Sequence, residues 1–144
     1  MPRRLREKLS EKATRYGNLL DPFIIAVWSP NAHIDNSGME FSLFGVPGLK
    51  HGYDLPAEPY RAPNGLFTEK KDGRYRFDHV SGIVFFESWP FVSDQPNLSV
   101  YHNPYAQKSL PEIWFAKYPQ LVPDSLEASP FEMLWKTPEL KSLL

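Results

Sequence analysis

The stretch FIIAVW, residues 23–28, contains six apolar residues without a polar interruption. A strand that is apolar on both faces usually lies inside a sheet that is covered on both sides. A helical pattern of apolar residues, separated by charged ones, precedes this stretch. These apolar residues are Leu5, Leu9, Ala13, Tyr16 and Leu20. Helix, short loop and buried strand form half of a β–α–β unit, so this order predicts a layered fold and a further strand upstream of residue 1. The alternative is a complete small domain in which this helix packs on strands later in the chain.

Two more segments are typical of strands in the main sheet. VSGIVFFES, residues 80–88, is strongly apolar, and NLSVYH, residues 97–102, alternates apolar and polar positions. The proline-bounded segment between them is too short for a helical crossover, so the two strands are predicted to be antiparallel.

LFTEKKDGRYRFD, residues 66–78, predicts a polar hairpin with Asp72 and Gly73 in a type I′ turn. This register places Glu69 opposite Arg76 and Lys71 opposite Arg74. The tip of the hairpin is therefore expected to be solvated.

Three Ser-x-x-Glu patterns predict helix starts, because each pair of side chains satisfies two otherwise unpaired amide groups. They begin at Ser37, Ser109 and Ser129, and a last short helix is predicted from Thr137. Gly45 is expected to end the helix that starts near Ser37. Residues 46–65 contain four prolines and are predicted to form an ordered surface loop.

The predicted fold class is α/β or α+β. It has a mixed sheet of about four to five strands, an N-terminal amphipathic helix on one face and short C-terminal helices. Residues 1–144 are predicted to form a single domain. If a strand is missing upstream, this domain is the C-terminal part of a larger one.

Composition excludes several classes of protein. Ten Phe, seven Tyr and four Trp argue against disorder, and the absence of Cys excludes disulfides and Cys-ligated metal centres. The chain lacks an apolar run of the roughly 20 residues needed for a membrane helix, and its basic N-terminus lacks the apolar core of a secretory signal. A cytoplasmic protein that does not associate with a membrane is expected, and the sequence leaves its oligomeric state open.

Positive charge is concentrated in two segments. Residues 1–16 contain six basic and two acidic residues, whereas residues 17–144 contain ten and fifteen. If the helix and the hairpin shared one face, their cations would form a phosphate-binding surface for nucleic acid. The alternative is a solvated helix face. The candidate contact residues are Lys8, Lys12, Arg15, Lys70, Lys71, Arg74 and Arg76.

The segment SVYHNPYA, residues 99–106, places histidine and asparagine where an apolar strand ends. One interpretation is a structural corner, since Pro104 forces Asn103 out of the helical region and frees its amide to bond nearby backbone. The other is a binding pocket formed by His102 and Asn103 with Tyr101 or Tyr105. The structural corner is the favoured interpretation.

Motifs for phosphate loops, zinc helices and serine nucleophiles are absent, so no cofactor is expected. His33, Asp35 and Glu40 could ligate a metal, although Glu40 is also predicted to cap a helix. Together with Glu87, the two acidic residues would be the only basis for a metal-dependent nuclease.

Four stretches occur in the same order in a family of uncharacterised bacterial proteins about twice this length, and the chain resembles their C-terminal half. They are EKATRYGNLLDPFIIAVWS, DNSGMEFSLFG, HVSGIVFF and VYHNPYAQKSLP, which together span most of residues 5–111. Trp28 departs from the family pattern, which has a polar residue there. No activity of that family is known, so the resemblance implies no catalytic residue.

LREKLSEKATRYG followed by PFIIAVW is also similar to the later helix and strand of the restriction-endonuclease-like fold. That resemblance implies that the metal-binding acids lie upstream of Met1. The expected function is a non-catalytic C-terminal part of a nuclease-like or nucleic-acid-associated protein, whose partner is nucleic acid or a preceding segment. The alternatives are a self-contained binding module near His102 and Asn103, and the metal-dependent nuclease.

Overall fold

A computed structural model describes residues 2–17, 19–28, 34–86, 97–123 and 135–136. Its central feature is a five-stranded mixed sheet, which confirms the predicted α/β or α+β class. The strands, in spatial order, are β1 (Ile24–Trp28), β6 (Gly82–Phe86), β7 (Leu98–His102), β8 (Gln120–Leu121) and β9 (Trp135–Lys136). The β1–β6 and β7–β8 pairs are parallel, and β6–β7 and β8–β9 are antiparallel.

In the described ranges, two α-helices and a 3-10 helix accompany the sheet. They are α1 (Pro2–Thr14), α2 (Asn36–Phe44) and the 3-10 helix (Glu112–Phe115). Two small antiparallel ribbons lie between α2 and β6 in the chain. They consist of β2 (Pro47–Gly52) with β3 (Leu55–Arg61), and β4 (Lys70–Lys71) with β5 (Arg74–Tyr75).

The core has two parts, one on each face of the sheet. On the first face, α1 and α2 pack against Ile25, Ile83 and Tyr101. The helix residues buried there are Leu5, Leu9, Ala13, Met39, Leu43 and Phe44. On the second face, Leu110 packs on Val84 and Val100, with Phe115 at the margin. The predicted packing of the first helix on one sheet face is therefore confirmed.

β1 is an edge strand of this sheet, so the prediction that it is an interior strand was wrong. Ala26 is exposed and Trp28 is 36% exposed. The interior strands are β6, β7 and β8, in which every residue except Phe86 is buried. An apolar run shows only that a segment suits a sheet, not how many neighbours it has. Burial of β1 therefore no longer indicates a strand upstream of residue 1, and the larger domain stays a prediction.

α1 ends at Thr14, before the last two positions of its apolar pattern. Tyr16 and Leu20 lie beyond the helix and are 54% and 93% exposed. His79 Nε2 donates to the Ala13 carbonyl oxygen at 2.8 Å. This tertiary contact satisfies one of the carbonyls that a helix end leaves unpaired.

The predicted loop at residues 46–65 contains the β2–β3 ribbon instead. Both strands of a two-stranded ribbon are edge strands, so prolines at positions 47, 56 and 59 do not break an interior ladder. The Lys71–Arg74 pairing and the positive φ of Asp72 and Gly73 confirm the predicted hairpin at the next ribbon.

Helix starts differ from the prediction. Asp35, not Ser37, caps α2, since its Oδ1 accepts from the Gly38 amide at 2.7 Å. The segment after Ser109 forms only the four-residue 3-10 helix, and its cap residue, Pro111, makes no side-chain cap bond. The predicted helices at Ser129 and Thr137 lie outside the described residues, apart from Trp135 and Lys136, which are in β9. Within the described part of the chain, no helix has the length and apolarity to cross a membrane.

Gly45 offers a test of how α2 is held. Its φ is +87°, and an added Cβ would lie 1.9 Å from the Ala62 carbonyl oxygen. Gly45→Ala is expected to destabilise the protein by about 3 kcal/mol, because backbone strain and a steric clash add. Urea unfolding measures the change.

Gly17→Ala is the matched control. Nothing lies within 4 Å of its added Cβ, so a change within about 0.5 kcal/mol is expected. Equal stability of both variants would contradict the close approach of Ala62 to Gly45.

Candidate functional site

Asn103 holds the corner that follows β7. Its Nδ2 donates to the carbonyl oxygens of Val80 at 2.8 Å and Phe77 at 3.3 Å. Its Oδ1 accepts from the Tyr105 amide at 3.0 Å, and its own amide donates to Ser81 O at 3.0 Å. Asn103 is 5% exposed, so each of these bonds is shielded from water. The bond from Tyr105, two residues away, is the nearby backbone bond that the structural interpretation predicted, whereas Val80 and Phe77 lie 23 and 26 residues away along the chain.

His102 is joined to a residue that the sequence did not single out. His102 Nε2 lies 2.7 Å from Gln120 Oε1, and Gln120 is fully buried. Gln120 Nε2 donates to the carbonyl oxygens of Glu112 and Phe115 at 2.8 and 2.9 Å. Since an amide oxygen only accepts, His102 carries a proton on Nε2. The pair connects β7 and β8 to the 3-10 helix.

The four predicted pocket residues do not face one cavity. His102 lies on the second face of the sheet with Val100, whereas Tyr101 lies in the core of the first face. Tyr101 is fully buried, and its hydroxyl donates to Asn36 Oδ1 at 2.5 Å. The ring of Tyr105 stacks on Tyr75 with centroids 3.7 Å apart. Asn103 and Tyr105 are in direct hydrogen-bond contact.

Ser81 links the start of β1 to this corner. Its Oγ accepts from the Phe23 amide at 3.0 Å, and its amide donates to Phe23 O at 2.7 Å. Ser81 also accepts from Asn103, so one buried residue connects three strand ends. No sequence motif identifies Ser81, His79 or Gln120 as a structural link. The one signal in the sequence is that each lies beside an apolar run.

The candidate cations of the N-terminal segment are exposed. On α1, Lys8 and Lys12 flank the buried Leu5–Leu9–Ala13 side, and Arg15 follows the end of the helix. Arg15 Nη2 pairs with Glu11 Oε1 at 3.2 Å, whereas Lys8 and Lys12 form no ion pair with any described residue. An exposed ion pair of this kind contributes little to stability, so Arg15 can exchange Glu11 for an anionic ligand. Lys8, Lys12 and Arg15 therefore remain available to such a ligand.

The hairpin presents cations on a rigid base. Arg76 pairs with Glu69 at 3.0 Å, its guanidinium lies 4.8 Å from the Phe77 ring centroid, and its amide donates to Glu69 O. Lys71 and Arg74 are exposed at the tip and form no ion pair with any described residue. The pairing at the base therefore leaves the tip cations available.

α1 and the segments that flank the hairpin contribute to the same core cluster. Phe67 and Phe77, on either side of the hairpin, are buried in the cluster that contains Leu9. Arg6 Nη1 donates to Asn64 O at 2.6 Å near one end of the helix, and His79 contacts Ala13 near the other. We call the cations of both elements the basic helix–hairpin surface. They are Lys8, Lys12, Arg15, Lys70, Lys71, Arg74 and Arg76.

The predicted metal ligands are not gathered by the described part of the chain. Asp35 caps α2. Burial lowers the pKa of Arg61 from its ordinary value, and the nearby charge of Glu40 opposes this shift by favouring the charged state of Arg61. His33 and Glu87 lie outside the described residues. Among the residues that are described, no three His, Asp or Glu side chains group together as a metal site would require.

No family model matches the chain, and searches of curated proteins and of solved structures found no match. The resemblance to the uncharacterised bacterial family and to the restriction-endonuclease-like fold therefore stays a prediction from the sequence.

Asn103→Asp tests the corner. The carboxylate cannot donate to Val80 O or Phe77 O, so a loss of about 3 kcal/mol in unfolding free energy is expected at pH 7. Burial beside carbonyl oxygens would raise the pKa of this carboxyl in the folded state. The loss should therefore shrink as the pH falls through that pKa, since a protonated carboxyl donates one bond.

Ser109→Asp is the control, because it makes the same charge change at an exposed position. It is expected to change the unfolding free energy by less than about 0.5 kcal/mol. Similar losses in both variants would show that added charge, rather than the lost bonds, is responsible.

Proposed function

We propose that this chain binds nucleic acid, without catalysing a reaction itself, through the basic helix–hairpin surface. One observation carries the proposal: Lys8, Lys12, Lys71 and Arg74 are exposed, form no ion pair with any described residue, and lie on two elements that are anchored in one core cluster. Lysine and arginine that neutralise phosphates release counterions, which supplies most of the sequence-independent affinity for nucleic acid.

The charge distribution supports the same partner. Residues 1–16 carry a net charge of +4, and the hairpin residues 69–76 carry four basic and two acidic residues. The whole chain has a net charge of −1, so the residues outside these two segments carry −7. Such an asymmetry would orient an anionic polymer toward the helix–hairpin side.

The wider part of the proposal rests on sequence resemblance. We place the chain as the C-terminal part of a larger nuclease-like bacterial protein, in which an upstream segment would supply any metal-binding acids. The basic helix–hairpin surface would then hold the nucleic acid while the upstream segment acts on it.

Lys71→Glu tests the proposal. Fluorescence anisotropy with a labelled DNA duplex is expected to show about five- to tenfold weaker binding at about 50 mM salt. The slope of log affinity against log salt should also become shallower by about one, because one phosphate contact is lost.

Lys117→Glu is the matched control. Lys117 is exposed and follows the 3-10 helix on the second face of the sheet, away from α1 and the hairpin. Its reversal should change affinity less than about twofold beyond the shift expected from net charge. Equal losses at both lysines, or no salt-dependent binding by the unaltered chain, would overturn the proposal.

A further inference from the structure

We infer that the ligand of the basic helix–hairpin surface is double-stranded DNA, held by its two phosphate backbones with the hairpin tip in a groove, rather than a single strand. This inference rests on the proposed function and specifies its ligand.

Single-strand binding without sequence preference depends on open aromatic faces. Successive bases stack on them, and each stack contributes about 1–3 kcal/mol. The aromatic rings of the hairpin segment do not offer such faces. The ring of Tyr75 lies parallel to Tyr105, with an interplanar angle of 8° and a centroid distance of 3.7 Å. Lys70 Nζ lies 4.9 Å from the centroid of the same Tyr75 ring.

The other aromatic rings of this segment are buried. Phe67 and Phe77 are each 1% exposed, and Arg76 covers the ring of Phe77. Tyr16, just after α1, is 54% exposed and makes an edge contact with Phe23. Among the aromatic residues of residues 2–17 and 66–78, Tyr16 is therefore the exposed one, whereas these segments carry seven candidate cations, which suits a ligand recognised through phosphates.

The hairpin has the shape of a narrow two-stranded ribbon. β4 and β5 contribute two residues each, paired as Lys70 with Tyr75 and Lys71 with Arg74. Asp72 and Gly73, with φ of +55° and +78°, close the tip without widening it. The major groove of B-form DNA is about 12 Å wide and admits a two-stranded ribbon.

The base of the ribbon is held by two contacts. The Glu69–Arg76 ion pair joins its two strands, and the Tyr75–Tyr105 stack holds it against the Asn103 corner. With the tip cations in the groove, Lys8 and Lys12 on α1 would contact a phosphate backbone beside that groove. A flexible single strand offers no such pair of regularly spaced backbones.

The experiment compares a labelled duplex of about 20 base pairs with each of its separate strands, using the full chain at about 50 mM and about 150 mM salt. The duplex is expected to bind at least tenfold more tightly than either strand at each salt concentration. The double variant Lys71→Glu/Arg74→Glu should weaken duplex binding at least tenfold, whereas Tyr16→Ala should change it less than twofold. All three positions are exposed, and unchanged melting temperatures would confirm that the variants fold.

Each remaining outcome counts against a defined statement. Equal or tighter binding of a single strand, lost in Tyr16→Ala, would overturn the inference and leave the proposed function intact. Duplex preference that is insensitive to the hairpin variant would overturn the groove placement. Absence of binding to all three probes would overturn both the inference and the proposed function.

Discussion

The buried side-chain amide of Asn103 is the interaction on which the arrangement of this protein depends. It connects the end of β7 to the carbonyl oxygens of Phe77 and Val80, just before β6 begins. Through Ser81 the same corner is bonded to Phe23, where the chain enters β1. A buried donor that loses its acceptor costs about 1–3 kcal/mol, so this network strongly disfavours other placements of these strand ends.

The corner also determines where the hairpin points. The carbonyl oxygen of Phe77 accepts from Asn103, and Phe77 is buried in the core cluster with α1. The hairpin ends one residue before Phe77. Tyr105, whose amide bonds to Asn103, stacks on Tyr75 in the hairpin. Two contacts from one corner therefore align a ribbon of only two residues per strand, which would be marginal by itself.

Charge is treated differently in the core and on the basic helix–hairpin surface. Arg61 is partly buried, donates to Gly45 O at 2.8 Å and lies near Glu40, so its charge is compensated inside the fold. Lys71 and Arg74 remain in water, where an unpaired cation has no desolvation cost. The fold therefore keeps its uncompensated cations where an external polyanion can reach them.

Local chemistry in the sequence determined the hairpin turn, the end of α2 at Gly45, the strands at residues 82–86 and 98–102, and the bond from the Tyr105 amide to Asn103 Oδ1. Each depends on neighbours within a few residues, such as Asp72 with Gly73 or Asn103 with Tyr105. Only the tertiary structure decided that β1 is an edge strand, that His102 meets Gln120, and that Tyr101 and His102 lie on opposite faces. These features depend on strand order and on contacts between distant segments. An apolar run or a lone histidine in the sequence is compatible with several strand orders and with several such contacts.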